Sequence, residues 1–152
     1  MAGGIVHAVD PHTPDSMQQL MPSAGAGGSL PPLDPDPSQA FLRNLERFGV
    51  RDCVIYHRAP SVEVAARWRG ERVRLLYIDG LHTYDAVRDD YNAWKPFLAD
   101  EHVVLFDDYL WEAVGRAVDD LRPQAASRFF YVRGGHAIFS TTRLATCIIG
   151  LP

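Results

Sequence analysis

Short apolar runs alternate with longer amphipathic segments along most of this chain, which is typical of strands that alternate with helices. Residues 75–78 and residues 103–106 are continuous apolar runs, and each is followed at once by aspartate. Between these runs, large apolar residues recur at helical spacing, namely Tyr84, Val87, Tyr91, Trp94 and Leu98. The pattern predicts a strand–helix–strand unit in which both strands end in a carboxylate.

The rest of the chain continues this alternation. Further elements are expected, in chain order, at residues 4–10, 38–48, 53–56, 61–68, 73–78 and 112–121. Ser38, Ser61 and Thr83 are the predicted N-caps of the helices that follow them. Two apolar runs on either side of Gly134 and Gly135 predict a terminal hairpin. The chain is therefore predicted to be one α/β domain over residues 1–152, with a mostly parallel sheet and an antiparallel hairpin at its end.

Composition narrows the class of protein. The net charge of −4 gives no basic face for nucleic acid, and no apolar run approaches the roughly 20 residues that cross a membrane. Residues 11–37 are rich in Pro, Gly, Ser and Asp, which predicts a long flexible loop. Cys53 lies in an apolar run, which favours a buried, reduced thiol. With no signal peptide visible, the expected location is the cytoplasm.

The aspartates at the ends of the two central strands are the first candidates for chemistry. The carboxyl ends of adjacent parallel strands meet at one edge of a sheet, so Asp79, Asp107 and Asp108 are expected to lie together. Three carboxylates at one place suit magnesium. The alternative is structural: Asp108 would cap the following helix, and Asp79 would stabilise the turn at Gly80.

His82 lies three residues after Asp79, on the same predicted loop. An imidazole is suited to take a proton from a hydroxyl, so a general base is one interpretation. A metal ligand and a loop histidine bonded to a nearby carboxylate are the others. Trp111, just after the acidic pair, is a candidate wall for a substrate pocket.

The order of these segments resembles class I S-adenosylmethionine-dependent methyltransferases, in particular the branch of macrocin O-methyltransferases and cephalosporin-hydroxylase-type proteins. The resemblance rests on three pieces: Ile78-Asp79-Gly80-x-His82-x-Tyr84, then Asp90 and Trp94, then Phe106-Asp107-Asp108-Tyr109. The first predicted strand, the helix after it and the terminal hairpin fit as well. The resemblance therefore covers nearly the whole chain.

This resemblance implies a Rossmann-like methyltransferase sheet and methyl transfer from S-adenosylmethionine to a hydroxyl of a small molecule or sugar. It implies magnesium held by Asp79, Asp107 and Asp108, with His82 and Asp79 as the catalytic residues. It also implies that Asp10 meets the ribose hydroxyls, in a cofactor-binding set of Asp10, Ser61 and Asp79.

The chain also departs from the family pattern. The family's first strand and Gly-rich loop would precede Gly4, so the fold is expected to be N-terminally truncated, and Ala59 and Pro60 stand where an acid often meets adenine. Strands left without a neighbour have unpaired main-chain groups. Three remedies are open: residues 4–9 pair directly with residues 73–78, the apolar residues 144–151 fill the place, or a second copy of the chain completes the sheet in a homodimer. A fragment of a longer protein is the fourth alternative.

Three functions therefore stand side by side at this stage. The first is an O-methyltransferase with possible magnesium assistance. The second is a catalytically inactive methyltransferase-like domain that acts as a binding or dimerisation module. The third is a metal-dependent enzyme that does not use the methyl donor.

Overall fold

The structure, a computed structural model, describes residues 4–13 and 36–143. Most of the predicted loop at residues 11–37 and the apolar segment at residues 144–151 lie outside the described residues. The regular elements are β1 (Val6–Val9), α1 (Pro37–Arg47), β2 (Val54–His57), α2 (Ser61–Ala66), β3 (Val73–Ile78), α3 (Tyr84–Trp94), β4 (Leu98–Phe106), α4 (Glu112–Leu121), β5 (Phe129–Arg133) and β6 (His136–Ser140). The predicted alternation of strands and helices and the terminal hairpin are confirmed.

The chain forms two compact units, residues 1–67 and residues 68–152. In the first unit, β1 and β2 pair in parallel, with Val6 opposite Val54 and Val9 opposite His57. In the second, four strands form a sheet in the order β3-β4-β6-β5. The β3–β4 pair is parallel, whereas β6 is antiparallel to both β4 and β5. The sequence predicted one sheet, but the described strands form two, and β3 lies at the edge of its own sheet.

The core of the second unit explains why its sheet and helices pack together. On one face of the sheet, Ile78, Val104, Phe106, Ala137 and Phe139 are buried against the apolar stripes of α3 and α4. Those stripes hold Val87, Tyr91, Val114, Ala117, Val118 and Leu121. Of the three aromatic residues of α3 that the sequence assigned to the core, Tyr91 and Trp94 are buried, and Tyr84 is partly buried against it.

Three local predictions need correction. α1 begins at Pro37 and is capped by Asp36, whose carboxylate accepts from the Ser38 amide at 3.1 Å, so Ser38 lies inside the helix. Proline suits this first position because it has no amide hydrogen to leave unpaired. α2 begins at Ser61 after Pro60, so Ser61 is not its N-cap. Thr83 does cap α3, accepting from the Ala86 amide at 3.3 Å.

Cys53 is the remaining local correction. It lies in the short 3-10 helix Arg51–Cys53, just before β2, and its side chain is exposed. The apolar run begins to form a strand only at Val54, which leaves the thiol outside the ladder. Among the described residues no helix is both long and apolar enough to cross a membrane.

Candidate functional site

The carboxyl edge of β3 and β4 carries the candidate site. The two strands run in parallel with Ile78 opposite Phe106, so the residues that follow them, Asp79 and Asp107, emerge at the same edge. The Asp107 amide donates to the Ile78 carbonyl at 3.0 Å, which extends the pairing one step beyond the strands. The apolar runs thus place these carboxylates side by side, as their sequence positions predicted.

Asp79, His82 and Asp108 converge at this edge. The His82 Nε2 atom lies 2.9 Å from Asp108 Oδ2 and 3.9 Å from Asp79 Oδ1. One nitrogen or oxygen atom from each of the three residues lies within 4.8 Å of those of the other two. Two carboxylates, one just beyond the end of β3 and one just beyond the end of β4, therefore face one small volume. The imidazole of His82, on the loop between β3 and α3, faces the same volume.

The backbone at Asp108 turns its side chain toward that volume. Asp108 has φ of 50°, in the left-handed region that non-glycine residues rarely adopt. Its carbonyl accepts from the Trp111 amide at 2.8 Å, and α4 has no side-chain N-cap. The structural alternative, in which the Asp108 side chain caps the following helix, is therefore wrong.

Asp107 accepts two hydrogen bonds and lies close to one imidazole. The Tyr77 hydroxyl donates to Oδ2 at 2.5 Å, the Asp108 amide donates to Oδ1 at 2.8 Å, and His136 Nε2 lies 3.0 Å from Oδ1. Tyr77 comes from β3 and His136 from β6, so the carboxylate at the end of β4 is contacted from both neighbouring strands. Sequence reasoning assigned neither residue to the site. The available signal was that both lie at strand ends on this edge.

His82 is enclosed without a fixed partner. Its side chain is only 15% exposed, yet neither ring nitrogen has an aligned hydrogen bond to any residue in ranges 4–13 and 36–143. The close approach to Asp108 is an electrostatic contact, since its direction does not suit a hydrogen bond. The Trp111 ring lies against the imidazole, with 4.7 Å between ring centroids. Buried polar atoms normally have partners, so these nitrogens are candidate contacts for a ligand.

The charges at this edge act on one another. Partial burial, followed by the negative charge of Asp107, raises the pKa of Asp79 above its usual value. For Asp107, burial acts in the same direction, but the Tyr77 hydroxyl, the Asp108 amide and the nearby imidazoles outweigh it and lower its pKa. Burial and the bond to Asp107 raise the pKa of Tyr77. Asp107 is therefore a stable anion, and Tyr77 stays a neutral donor beside it.

A small hollow opens beside these groups. It is lined by apolar residues of the core on one side and by polar residues of the strand ends on the other, namely Ile78, Val87, Phe106, Val114, Asp79, Gly80, His82 and Asp107. Leu110 and Trp111, 77% and 43% exposed, follow Asp108 on the loop outside it. Exposed apolar groups beside a polar cluster are typical of a site that takes a ligand.

In the first unit, Asp10 follows β1 and its carboxylate is turned by a local contact. Oδ1 accepts from the His12 amide at 2.6 Å, while the Tyr56 hydroxyl donates to the Asp10 carbonyl at 3.1 Å. The His12 ring in turn lies 2.5 Å from that hydroxyl through Nδ1. The side chain of Asp10 remains 52% exposed. Tyr56 and His12, which the sequence placed among ordinary strand and loop residues, thus fix the chain around this acid.

One known protein family matches most of this chain in sequence. A family described as "Methyltransferase domain" matches residues 4–109. This range includes β1, β3 and β4 and the four candidate acids Asp10, Asp79, Asp107 and Asp108. The chain belongs to this family. No curated protein sequence matches it.

Several solved structures share the fold of this methyltransferase-family chain. The O-methyltransferase NovP aligns with a TM-score of 0.64 and 18% identity, covering 91% of this chain and 60% of NovP. Cofactor-bound Rv0187 from MTB aligns with a TM-score of 0.62 and 14% identity, covering 92% and 63%. CalS11, a TDP-rhamnose 3'-O-methyltransferase of calicheamicin biosynthesis, aligns in its apo form with a TM-score of 0.55 and 18% identity, covering 90% and 58%.

These likenesses establish a Rossmann-like methyltransferase fold, which confirms the predicted fold class. The chain spans about 60% of the length of the solved methyltransferases it matches.

Proposed function

We propose that this chain carries out, or forms part of a protein that carries out, methyl transfer from S-adenosylmethionine to a hydroxyl of a small molecule or sugar. The observation that carries the proposal is the convergence of Asp79, His82 and Asp108 at the carboxyl edge of β3 and β4. Membership of the methyltransferase family supports the reaction type. CalS11, a TDP-rhamnose 3'-O-methyltransferase with a similar fold, supports a sugar among the candidate acceptors.

For the cofactor, we propose Asp10 and Ser61, both in the first unit, as contacts. A carboxylate that follows a parallel strand can accept two hydrogen bonds from a ribose diol, and Asp10 is half exposed in that position. Its Oδ1 already accepts from the His12 amide, which fixes the orientation of the group before any ligand arrives. Ser61 opens α2 just beyond β2, at the same end of the β1–β2 pair.

For a metal, we propose Asp79, Asp107 and Asp108 as the ligands. The donor chemistry fits a hard divalent cation, because carboxylate oxygens are the ligands that magnesium prefers. The carboxylates of Asp79 and Asp108 are 47% and 41% exposed and have room for one. Asp107 accepts one hydrogen bond on Oδ2 from Tyr77 and one on Oδ1 from the Asp108 amide, with the His136 ring also close to Oδ1. A carboxylate offers about four lone-pair sites, so one position on Oδ2 stays open. When bound there, such a cation lowers the pKa of an acceptor hydroxyl.

The residues themselves then have distinct roles. His82 accepts the proton of the acceptor hydroxyl, because its ring nitrogens are enclosed and have no aligned donor or acceptor to compete. The Asp108 carboxylate, 2.9 Å away, stabilises the imidazolium that results. Asp79 orients the acceptor oxygen beside it. Trp111 offers a flat apolar surface next to His82 for the body of the acceptor.

Isothermal titration calorimetry with S-adenosylhomocysteine tests the cofactor proposal. Wild-type protein is expected to bind it, and Asp10→Ala is expected to weaken binding about tenfold or more, the usual cost of about 1.5–3 kcal/mol for a lost charged hydrogen bond. Asp52→Ala, an exposed acid before β2, is the matched control and should bind as the wild type does. No heat from the wild type at millimolar ligand, with magnesium present, would remove the methyltransferase proposal for this chain.

A second candidate function is a binding or dimerisation module, and one observation favours it. Among the strands that the structure describes, β3 is at the edge of its sheet, and its Leu75 and Tyr77 are 64% and 51% exposed. An edge strand offers unpaired main-chain groups to another chain, so a second copy could complete the sheet in a homodimer. Light scattering coupled to size exclusion measures this directly. A dimer that Leu75→Lys converts to a monomer supports strand-edge pairing, whereas a monomeric wild type contradicts it.

A further inference from the structure

We propose that Tyr77 and His136 are positioning residues that act through Asp107 to hold Asp108 in the orientation that meets His82 and Asp79. This inference deepens the metal-assisted part of the proposed function and rests on it. It concerns two residues outside the family motifs.

Three adjacent strands bring the residues of this network together. Tyr77 lies opposite Leu105 in the β3–β4 register, one step before the strand ends, and its hydroxyl reaches Asp107 Oδ2. On the other side of β4, Ala137 pairs with Phe106, so His136 lies beside Asp107 and contacts Oδ1. The carboxylate of Asp107 is therefore contacted from both sides, at Oδ2 by a residue of β3 and at Oδ1 by a residue of β6.

The fixed carboxylate then acts on the residue that follows it. Asp107 Oδ1 accepts from the Asp108 amide at 2.8 Å, and Asp108 has φ of 50°. A non-glycine residue in this conformation is strained and persists only where its surroundings hold it. The bonds on either side of Asp108, from its amide to Asp107 and from the Trp111 amide to its carbonyl, supply that hold. Its carboxylate then lies 2.9 Å from His82 Nε2.

The positions of Tyr77 and His136 separate this role from a purely structural one. Tyr77 is 51% exposed, and the His136 side chain is 38% exposed, so neither belongs to the buried core. Removing one hydroxyl or one ring there leaves the packing of the unit intact. What changes is the set of groups that orient Asp107: either the hydrogen bond from Tyr77 or the close contact with His136 is lost. Groups that orient a ligating carboxylate typically change metal affinity by 10- to 100-fold when they are lost.

The test compares Mn²⁺ affinity, measured by electron paramagnetic resonance on the full chain, across four variants. Tyr77→Phe and His136→Ala are each expected to weaken binding about tenfold. His136→Gln keeps a donor close to the position of Nε2 and is expected to restore most of the affinity. Tyr84→Phe is the matched control, because it removes a tyrosine–carboxylate bond of the same kind, to Asp120 at 2.6 Å, away from the site.

A second measurement needs no metal. The ¹H–¹⁵N spectrum of the His82 imidazole in metal-free protein reports its contact with Asp108, and it should shift in Tyr77→Phe and His136→Ala but not in Tyr84→Phe. Unchanged His82 resonances in both variants would overturn the positioning role, whatever the metal result. Absence of Mn²⁺ binding by the wild type, together with shifted His82 resonances, would overturn the metal proposal alone and keep the positioning role.

Discussion

Asp107 and Asp108 are neighbours in sequence but differ in almost every physical respect. Asp107 accepts two hydrogen bonds and its pKa is lowered, whereas Asp108 has an unusual backbone conformation and presents its carboxylate to His82. Asp79, on the adjacent strand, has a raised pKa because it is partly buried beside Asp107. The contacts of Asp107 with Tyr77, His136 and Asp79 all cross from one strand to another. Single residues therefore matter here through their partners more than through their type.

At this scale, replacing Asp79 or Asp108 by asparagine should weaken divalent-metal binding at least tenfold, because each change removes a negative oxygen from the converging set. The measurement is the rise in melting temperature with Mg²⁺, since a cation that binds only the folded state stabilises it by about 2.7 kcal/mol at 100 times its Kd. Asp89→Asn, on the exposed face of α3, should leave the rise unchanged. An equal rise in all three variants would eliminate the site.

Individual elements show how local signals set helix ends. α1 has its first two residues, Pro37 and Ser38, placed by the Asp36 carboxylate, which accepts from the Ser38 hydroxyl at 2.5 Å and from its amide. The Ser38 bond, ahead of the smaller effect of Arg58, lowers the pKa of Asp36. At its other end, Gly49 with φ of 66° closes the helix in a conformation that favours glycine. Serine and aspartate are both good caps, which is why sequence alone chose the wrong one.

The cap predicts a pH dependence with a defined sign. A carboxyl whose pKa is lowered by folding stabilises the folded state above its unfolded pKa, 3.8, and loses that contribution as the pH falls through the folded value. The helicity of α1 should therefore drop below about pH 4 in the wild type and be lower at neutral pH in Asp36→Ala. Circular dichroism from pH 7 to pH 2 measures this.

Ser38→Ala separates the two partners of the cap. It should bring the Asp36 pKa, measured by carboxyl NMR titration, back toward its ordinary value while the aspartate still caps the amide. A pKa of Asp36 that does not change in Ser38→Ala would contradict the assignment of the hydroxyl bond.

At the scale of the molecule, the second unit is organised around an aromatic core. Phe139 on β6 packs against Phe106, Phe130 and Tyr91, with ring centroids 5.0, 5.7 and 6.0 Å away. These rings join the sheet to α3 and hold β4 and β6 in the register that brings Asp107 beside His136. The geometry of the candidate site therefore depends on a core that lies directly beside it, since Phe106 immediately precedes Asp107 and also lines the hollow.

Truncating the central ring should cost much more than truncating an exposed one. Phe139→Ala is expected to lower the free energy of unfolding by about 3–5 kcal/mol, because it empties a fully buried position. Phe48→Ala, at a residue 71% exposed, should change it by no more than about 0.5 kcal/mol. Urea unfolding followed by tryptophan fluorescence measures both. Similar midpoints for the two variants would contradict the position of the core.

Local patterns in the sequence were sufficient to predict the helices and strands and their order along the chain. Apolar runs of strand length, the helical spacing of residues such as Tyr91 and Trp94, and the Gly134–Gly135 turn are local signals, and local signals specify local structure. The same runs, ending in Asp79 and Asp107, were enough to predict that these acids share one edge. Fold class and family followed from the same residues.

The residues that contact those acids depend on the tertiary structure and could not be predicted from local sequence patterns. Tyr77 and His136 are 30 and 29 residues from Asp107, and their contacts with it exist because β3 and β6 flank β4 in the folded sheet. The enclosure of His82 by Trp111, which lies 29 residues further along the chain, is likewise a product of packing. Strand order and register are set by the burial of whole faces, a non-local quantity that the residues around each aspartate do not encode.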